Sequence, residues 1–271
     1  TMSDGSQIKI KDLEKYDKEI ITLNSDLKVN TSEKTEFYKR DVGHLLKLKL
    51  RSGKEIKLTK EHPLLTVEGW KPIIDLKKGS RIATPRKLDF FGQIDLSEEK
   101  VKILAYLISE GHISNNFILF TNKDNKIMND FKKSIIDFDN SLILNNHSDY
   151  TLRIVQNLKR KLNVIRDNTG KFLKGSKFDS KSTLRKWLDK LNLYGKLSGE
   201  KFIPKIIFNL PKNKISLFLN RLFSCDGSIW SEKHTWKISY ASKSKRLIEQ
   251  IHHLLLKFDI LSRYREKKFS Y

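Results

Sequence analysis

Leu46, Leu48 and Leu50 alternate with Lys47 and Lys49, a Ser52-Gly53 turn follows, and apolar positions resume at Ile56 and Leu58. A period of two on both sides of a turn predicts a β-hairpin, because successive strand side chains face opposite ways. "GWKPIIDLKKGSRIATP" (69–85) adds a short strand, a turn at Gly79 and a strand stopped by Pro85, which has no N–H to give to a ladder. The chain up to about Pro85 thus predicts a small all-β domain, and "RKLDFFGQ" (86–93) reads as a linker. From Asp95 the apolar spacing turns helical: "DLSEEKVKILAYLISEG" offers Asp95 or Ser97 as a cap, acidic residues in the first turn and Gly111 as the stop. The predicted organisation is multidomain, an all-β domain over 1–88 followed by an α+β domain over 89–271.

The second domain contains an internal repeat. "ILAYLISEGHI" (103–113) can be laid on "LNRLFSCDGSI" (219–229), so that Glu110 falls on Asp226, Gly111 on Gly227 and Ile113 on Ile229, at an offset of 116. Further on, "FTNKDNKIMNDF" (120–131) resembles "YASKSKRLIEQI" (240–251), and "FD" at 138 recurs at 258, now at an offset of 120. Four extra residues therefore sit in the second hairpin. Each copy reads helix, strand pair, helix, over about 95–205 and 206–271, and the first helix of each ends in an acid before a glycine.

Charge narrows the partner. Fifty-four Lys and Arg against 32 Asp and Glu leave a formal charge of +22. That excess is far beyond what solubility needs and points to a polyanion, nucleic acid ahead of an anionic membrane. No apolar stretch approaches the ~18 residues of a membrane span, and the first residues are polar with no signal-peptide core. No membrane partner is expected, and the expected location is intracellular and cytoplasmic. The single cysteine, Cys225, has no partner in the chain and no zinc-ligand spacing, which fits a reducing compartment.

An acid before a glycine is by itself an ordinary helix-ending turn. Its repetition changes the reading. Two pseudo-equivalent helices packed side by side would bring Glu110 and Asp226 together, and two such acids repel unless a cation lies between them. Hard oxygen ligands suit Mg²⁺, which keeps several waters and completes its shell with substrate phosphates. In a strongly basic chain the matching chemistry is metal-assisted phosphodiester hydrolysis by an in-line water.

"AYLISEG" (105–111) and "LFSCDG" (222–227) resemble the two LAGLIDADG motifs of homing endonucleases. "EKFIPKIIFNLP" (200–211) is similar to the Lys-x-Ile-Pro block before the second motif in intein-encoded members. That resemblance implies double-strand cleavage of DNA with Mg²⁺ held by Glu110 and Asp226, and it makes Lys201 the catalytic lysine that polarises the scissile phosphate or orients the water. Upstream, "LTKEHPLLTVEGWKPIIDLKKGSRIATP" (58–85) resembles block B of inteins, and "MSDGSQIKIKDL" (2–13) resembles the hairpin after the intein amino terminus. The implied fold there is the horseshoe-like Hint splicing domain, in which Thr59 and His62 assist the initial acyl shift, His62 as general acid toward the scissile amide.

DNA reading would fall to the strands after each motif, since a two-stranded ribbon fits the major groove. Counting alternately through "HISNNFILFTN" and "SIWSEKHTWKISYAS" assigns Ile113, Phe117, Leu119 and Ile238 to a helix-packing face and His112, Ser114, Asn116, Lys233 and Lys237 to the DNA. The basic stretch "NLKRKLNVIRDNTGKFLKGSK" (157–177) reads as a phosphate-contacting loop.

Several positions depart from the family pattern. The sequence starts at Thr1 with no Cys or Ser nucleophile and ends at Tyr271 with no His-Asn pair, and the counterpart of Lys201 would fall near 317. The expectation is a terminally incomplete intein with a truncated second repeat, unable to splice by itself. Glu110 replaces the usual Asp, while Ala105 and Arg221 stand where glycine often allows close helix contact. Two alternatives keep the fold: a split or degenerate intein that acts by assembling with a complementary C-terminal fragment, and a maturase-like or regulatory DNA-binding protein.

Overall fold

The structure, a computed structural model, describes residues 1–114, 117–156, 169, 181–232 and 234–267. Its strands are β1 (Ile20–Leu23), β2 (Val29–Ser32), β3 (Leu46–Lys49), β4 (Glu55–Leu58), β5 (Pro63–Thr66) and β6 (Gly69–Pro72), followed by helix α1 (Glu98–Ser109). Next come β7 (Gly111–Ile113), β8 (Ile118–Thr121), α2 (Asn125–Phe138), β9 (Leu142–Ser148), β10 (Thr151–Gln156), α3 (Thr183–Lys190) and α4 (Lys205–Phe208). The chain closes with α5 (Lys212–Asp226), β11 (Gly227–Glu232), β12 (Thr235–Tyr240) and α6 (Lys245–Leu256). It divides into two compact units, one of Thr1–Asp95, Lys205–Lys212 and Leu247–Tyr271, the other of Leu96–Pro204 and Asn213–Arg246.

The first unit carries three separate antiparallel ribbons, β1-β2, β3-β4 and β5-β6. The hairpin read from the leucine alternation is present, with Leu46 opposite Leu58 and Leu48 opposite Ile56. Gly53 closes it at φ +97°, where a side chain would also strike the Tyr264 carbonyl. Ribbons of four-residue strands bury little: Leu46, Ile56 and Trp70 are exposed. The unit's buried side chains come largely from elsewhere, from Met2, Ile73 and Leu88 together with Ile207, Phe208, Leu210, Ile251, Leu254 and Leu256. The ribbons of the first 88 residues thus stand in a mixed unit, in which helical segments late in the chain supply the apolar mass that short ribbons lack. Within it Lys257, fully buried, donates to the Gly5 carbonyl at 3.1 Å and the Phe208 carbonyl at 2.9 Å.

The second unit is built on α1. Its residues Ile103 through Ile108 are all buried, as a central helix apolar on every side must be. A four-stranded antiparallel sheet in the order β7-β8-β10-β9 follows, with α2 capped by the Asp124 side chain, which accepts from the Lys126 and Ile127 amides. Phe120 stacks on Phe131 at 4.1 Å between centroids, and Tyr106 meets both rings.

The ribbon faces differ from the alternating count. Gly111 pairs with Phe120 and Ile113 with Ile118, so cross-strand partners have opposite parity. Ile113, Ile118 and Phe120 form the buried face, while Phe117 and Leu119 lie on the other side with His112. Counting straight through the turn fails because the turn itself reverses the phase. In the second ribbon Ile229 opposes Ile238 in the same way, but both are about two-thirds exposed, at 65% and 67%, so Ile238 does not pack on a helix as expected.

Candidate active site

Glu110 caps the C-terminus of α1, its amide donating to the Tyr106 carbonyl at 3.0 Å, and Gly111 begins β7 at once. Asp226 is the last residue of α5 and Gly227 the first of β11. A Cβ on Gly111 would lie 2.6 Å from the Leu107 Cα and carbonyl oxygen, and one on Gly227 would strike the Phe223 carbonyl. Each helix thus runs into a strand without a loop, and only glycine tolerates the backbone one turn back. The acid-glycine pairs are helix-strand junctions rather than turns.

The junctions bring both acids and Lys201 into one electrostatic neighbourhood. Glu110 is pushed above the usual carboxylate range by burial and by the charge of Asp226, against hydrogen bonds from Asn122 and the Cys225 thiol and the charge of Lys201. Asp226 is raised by burial, opposed by Tyr240, whose hydroxyl donates to it at 3.1 Å, and by Lys201. Lys201 is only 7% exposed; its ammonium donates to the Ser109 carbonyl at 2.8 Å and the Gly111 carbonyl at 2.7 Å, one on each side of Glu110. Burial lowers it to about 8 against the pull of both acids. Cys225, pushed up to about 12 chiefly by burial, is a neutral thiol that reaches from α5 to Ser109 and Glu110.

A second cluster lies one turn back along the same helices. Asp130 of α2 accepts from Lys102 at 2.7 Å, from the Tyr106 hydroxyl at 2.7 Å and from Arg221 Nε at 2.8 Å. Arg221, out of place where glycine was expected, is thereby an ion-pair partner.

The pair fits a hard divalent cation. Both carboxylates stand at helix C-termini, where the macrodipole is negative, and both resist ionisation, so an added positive charge relieves repulsion that one lysine leaves in place. Among the described residues no group of three or more His, Cys, Asp or Glu could hold a metal ion. Glu110 and Asp226 would thus be the protein's ligands, with water and phosphate completing the shell of a Mg²⁺ ion.

Of the residues assigned to DNA, His112 is exposed on β7 and stacks on Phe117 at 5.5 Å. Ser114 spends its hydroxyl on the Phe117 backbone, closing the β7-β8 turn. Lys237 lies opposite Trp230 and pairs with Glu232. Asn116, Lys233 and the basic stretch 157–177, Thr169 apart, lie outside the described residues. Thr59 and His62 share the turn between β4 and β5, the His62 amide donating to the Thr59 carbonyl at 3.1 Å with the imidazole exposed. No helix is long and apolar enough to cross a membrane among the described residues.

Asn122, Tyr240, Cys225 and Asp130 were missed in sequence reasoning. Tyr240 aligns with Phe120 and Cys225 with Ser109, so the repeat had marked two of these positions without showing the contact each makes.

Known proteins carry similar segments. The replication factor C small subunit of Methanocaldococcus jannaschii is 31% identical over 255 residues, 92% of this chain but 12% of that protein. The replicative DNA helicase DnaB of Synechocystis sp. is 29% identical over 271 residues, 96% of this chain and 29% of that protein. Protein RecA of Mycobacterium tuberculosis is 26% identical over 230 residues, 81% of this chain and 26% of that protein. The chain thus spans less than a third of each of these relatives. A LAGLIDADG-like domain is found over residues 213–271, which include Asp226.

Proposed function

We propose that this chain is an intein-type polypeptide whose LAGLIDADG-like region is a Mg²⁺-dependent endonuclease cutting both strands of a long, asymmetric DNA site. The observation that carries the reading is the placement of Glu110 and Asp226 at equivalent helix-strand junctions, with the buried ammonium of Lys201 bonded to the carbonyls on both sides of Glu110. Similarity to parts of three differently named proteins supports a segment inserted into different hosts.

A bound Mg²⁺ would supply Lewis acidity toward the scissile phosphate and toward water. Glu110 and Asp226 would hold the cation through their carboxylates, which Asn122 and Tyr240 orient by hydrogen bonds. Lys201, held to backbone on both sides of Glu110, keeps a positive charge beside the developing phosphorane. The excess of 54 basic over 32 acidic residues draws in the polyanion.

The test is to incubate the chain with a randomised duplex library and Mg²⁺ and to sequence the new ends. Recurrent cuts are expected, reduced by more than about a hundredfold in Glu110→Gln and Asp226→Asn with DNA binding retained in a gel shift. Binding without any recurrent cut would sink the nuclease reading. A splicing role for Thr59 and His62 is supported by their shared turn and the exposed imidazole, and His62→Ala in a host-flanked precursor should then slow amide cleavage.

A further inference from the structure

We infer that Asp130 is a positioning residue that clamps α1 to α5 and so sets how closely Glu110 approaches Asp226. Its carboxylate takes Lys102 and Tyr106 from α1 and Arg221 from α5, at 2.7, 2.7 and 2.8 Å. Tyr106 is bonded through its own carbonyl to the Glu110 amide, and Arg221 lies just over one helical turn before Asp226. One carboxylate therefore reaches the last turn of α1 and the turn before the last of α5. Burial pushes Asp130 up, but its three donors outweigh burial and hold it below the ordinary range, so the ionised form is the one the cluster keeps.

The repeat carries this cluster once. At the matching offsets Asp130 falls on Gln250, Lys102 on Phe218, Tyr106 on Leu222 and Arg221 on Ala105. Where its counterpart is Ala105, Arg221 thus supplies a charged link, which fixes spacing through bond geometry. Its consequence for cation binding rests on the nuclease reading; the spacing itself does not.

Ser109 and Cys225 allow a direct measurement, because the Cys225 thiol on α5 lies within electrostatic reach of Ser109 and Glu110 at the end of α1. In the full chain, Ser109→Cys should form a disulfide with Cys225 on oxidation with diamide. Adding Asp130→Asn should slow this crosslink about tenfold, the drop that ~1.4 kcal/mol of lost coupling represents. Asp130→Glu, which restores a carboxylate to the same donors, should recover most of the rate. An unchanged rate in folded Asp130→Asn overturns the proposal. Should that variant fail to fold by circular dichroism, Arg221→Gln cuts only the α5 arm, and an unchanged rate there overturns it equally. Neither DNA nor a divalent cation enters this experiment, so loss of the crosslinking effect and failure of DNA cleavage can be told apart.

Discussion

Glu110 and Asp226 are held in the fold against their preference for water, and the sign of that strain is testable. Their carboxyls are raised, so their contribution to stability is full below the unfolded pKa and is lost as pH rises through the folded one. Glu110→Gln and Asp226→Asn should therefore raise the thermal midpoint at neutral pH, by ~1–2 °C each, while removing cleavage. The cleavage rate should climb with pH through a window above the ordinary carboxylate range and fall again above about 8, where Lys201 loses its proton. Lys201→Met should erase the alkaline limb and cost about a hundredfold or more in rate, read from single-turnover kinetics across pH. That Glu110 and Asp226 stand at equivalent helix ends was legible in the sequence because the repeat marked them. The groups that tune them were not, since Asn122, Tyr240 and Cys225 act through contacts that no spacing along the chain reports.

The helix-strand junction is the element on which the site depends. Gly111→Ala and Gly227→Ala each push a methyl into backbone one turn back, so each should cost ~1–3 kcal/mol in urea unfolding and move the adjacent acid enough to lose cleavage. Helix α1 could be read from its apolar spacing and acidic first turn, and the β3-β4 hairpin from its alternation. The ribbon faces could not, because the phase reverses inside a turn whose length no periodicity gives. Arg221 was hard to place for a related reason: its partner Asp130 is 91 residues away on a third helix. On α6, His252 and His253 are lowered to about 4 and about 3, mainly by burial. Neutral imidazoles are favoured in the fold, so their contribution is present above 6.5 and is lost as pH falls toward those values. Urea midpoints should drop between pH 7 and pH 5, and His253→Leu should flatten that slope.

For the whole chain the charge of +22 is the largest single fact, and it belongs to long-range attraction rather than to the fold. Affinity for duplex DNA should fall by ~10³-fold or more between 50 and 200 mM salt, measured by fluorescence anisotropy, as expected for about six or more phosphate contacts. Domain organisation was only partly legible: strand-rich and helix-rich stretches could be told apart, but not that α4 and most of α6 join the strand-rich unit, since cores are assembled across sequence distance. The phase reversal in the two ribbons carries a further implication. Ile113 opposes Ile118, and Ile229 opposes Ile238, although the second ribbon is longer by four residues, an even number. Directly opposed residues share a face, so each ribbon sets its isoleucine pair on one side although the two ribbons differ in length. If the ribbons lie along a duplex as proposed, the second, with strands of six and six residues against three and four in the first, would extend roughly 7 Å further, about two base pairs.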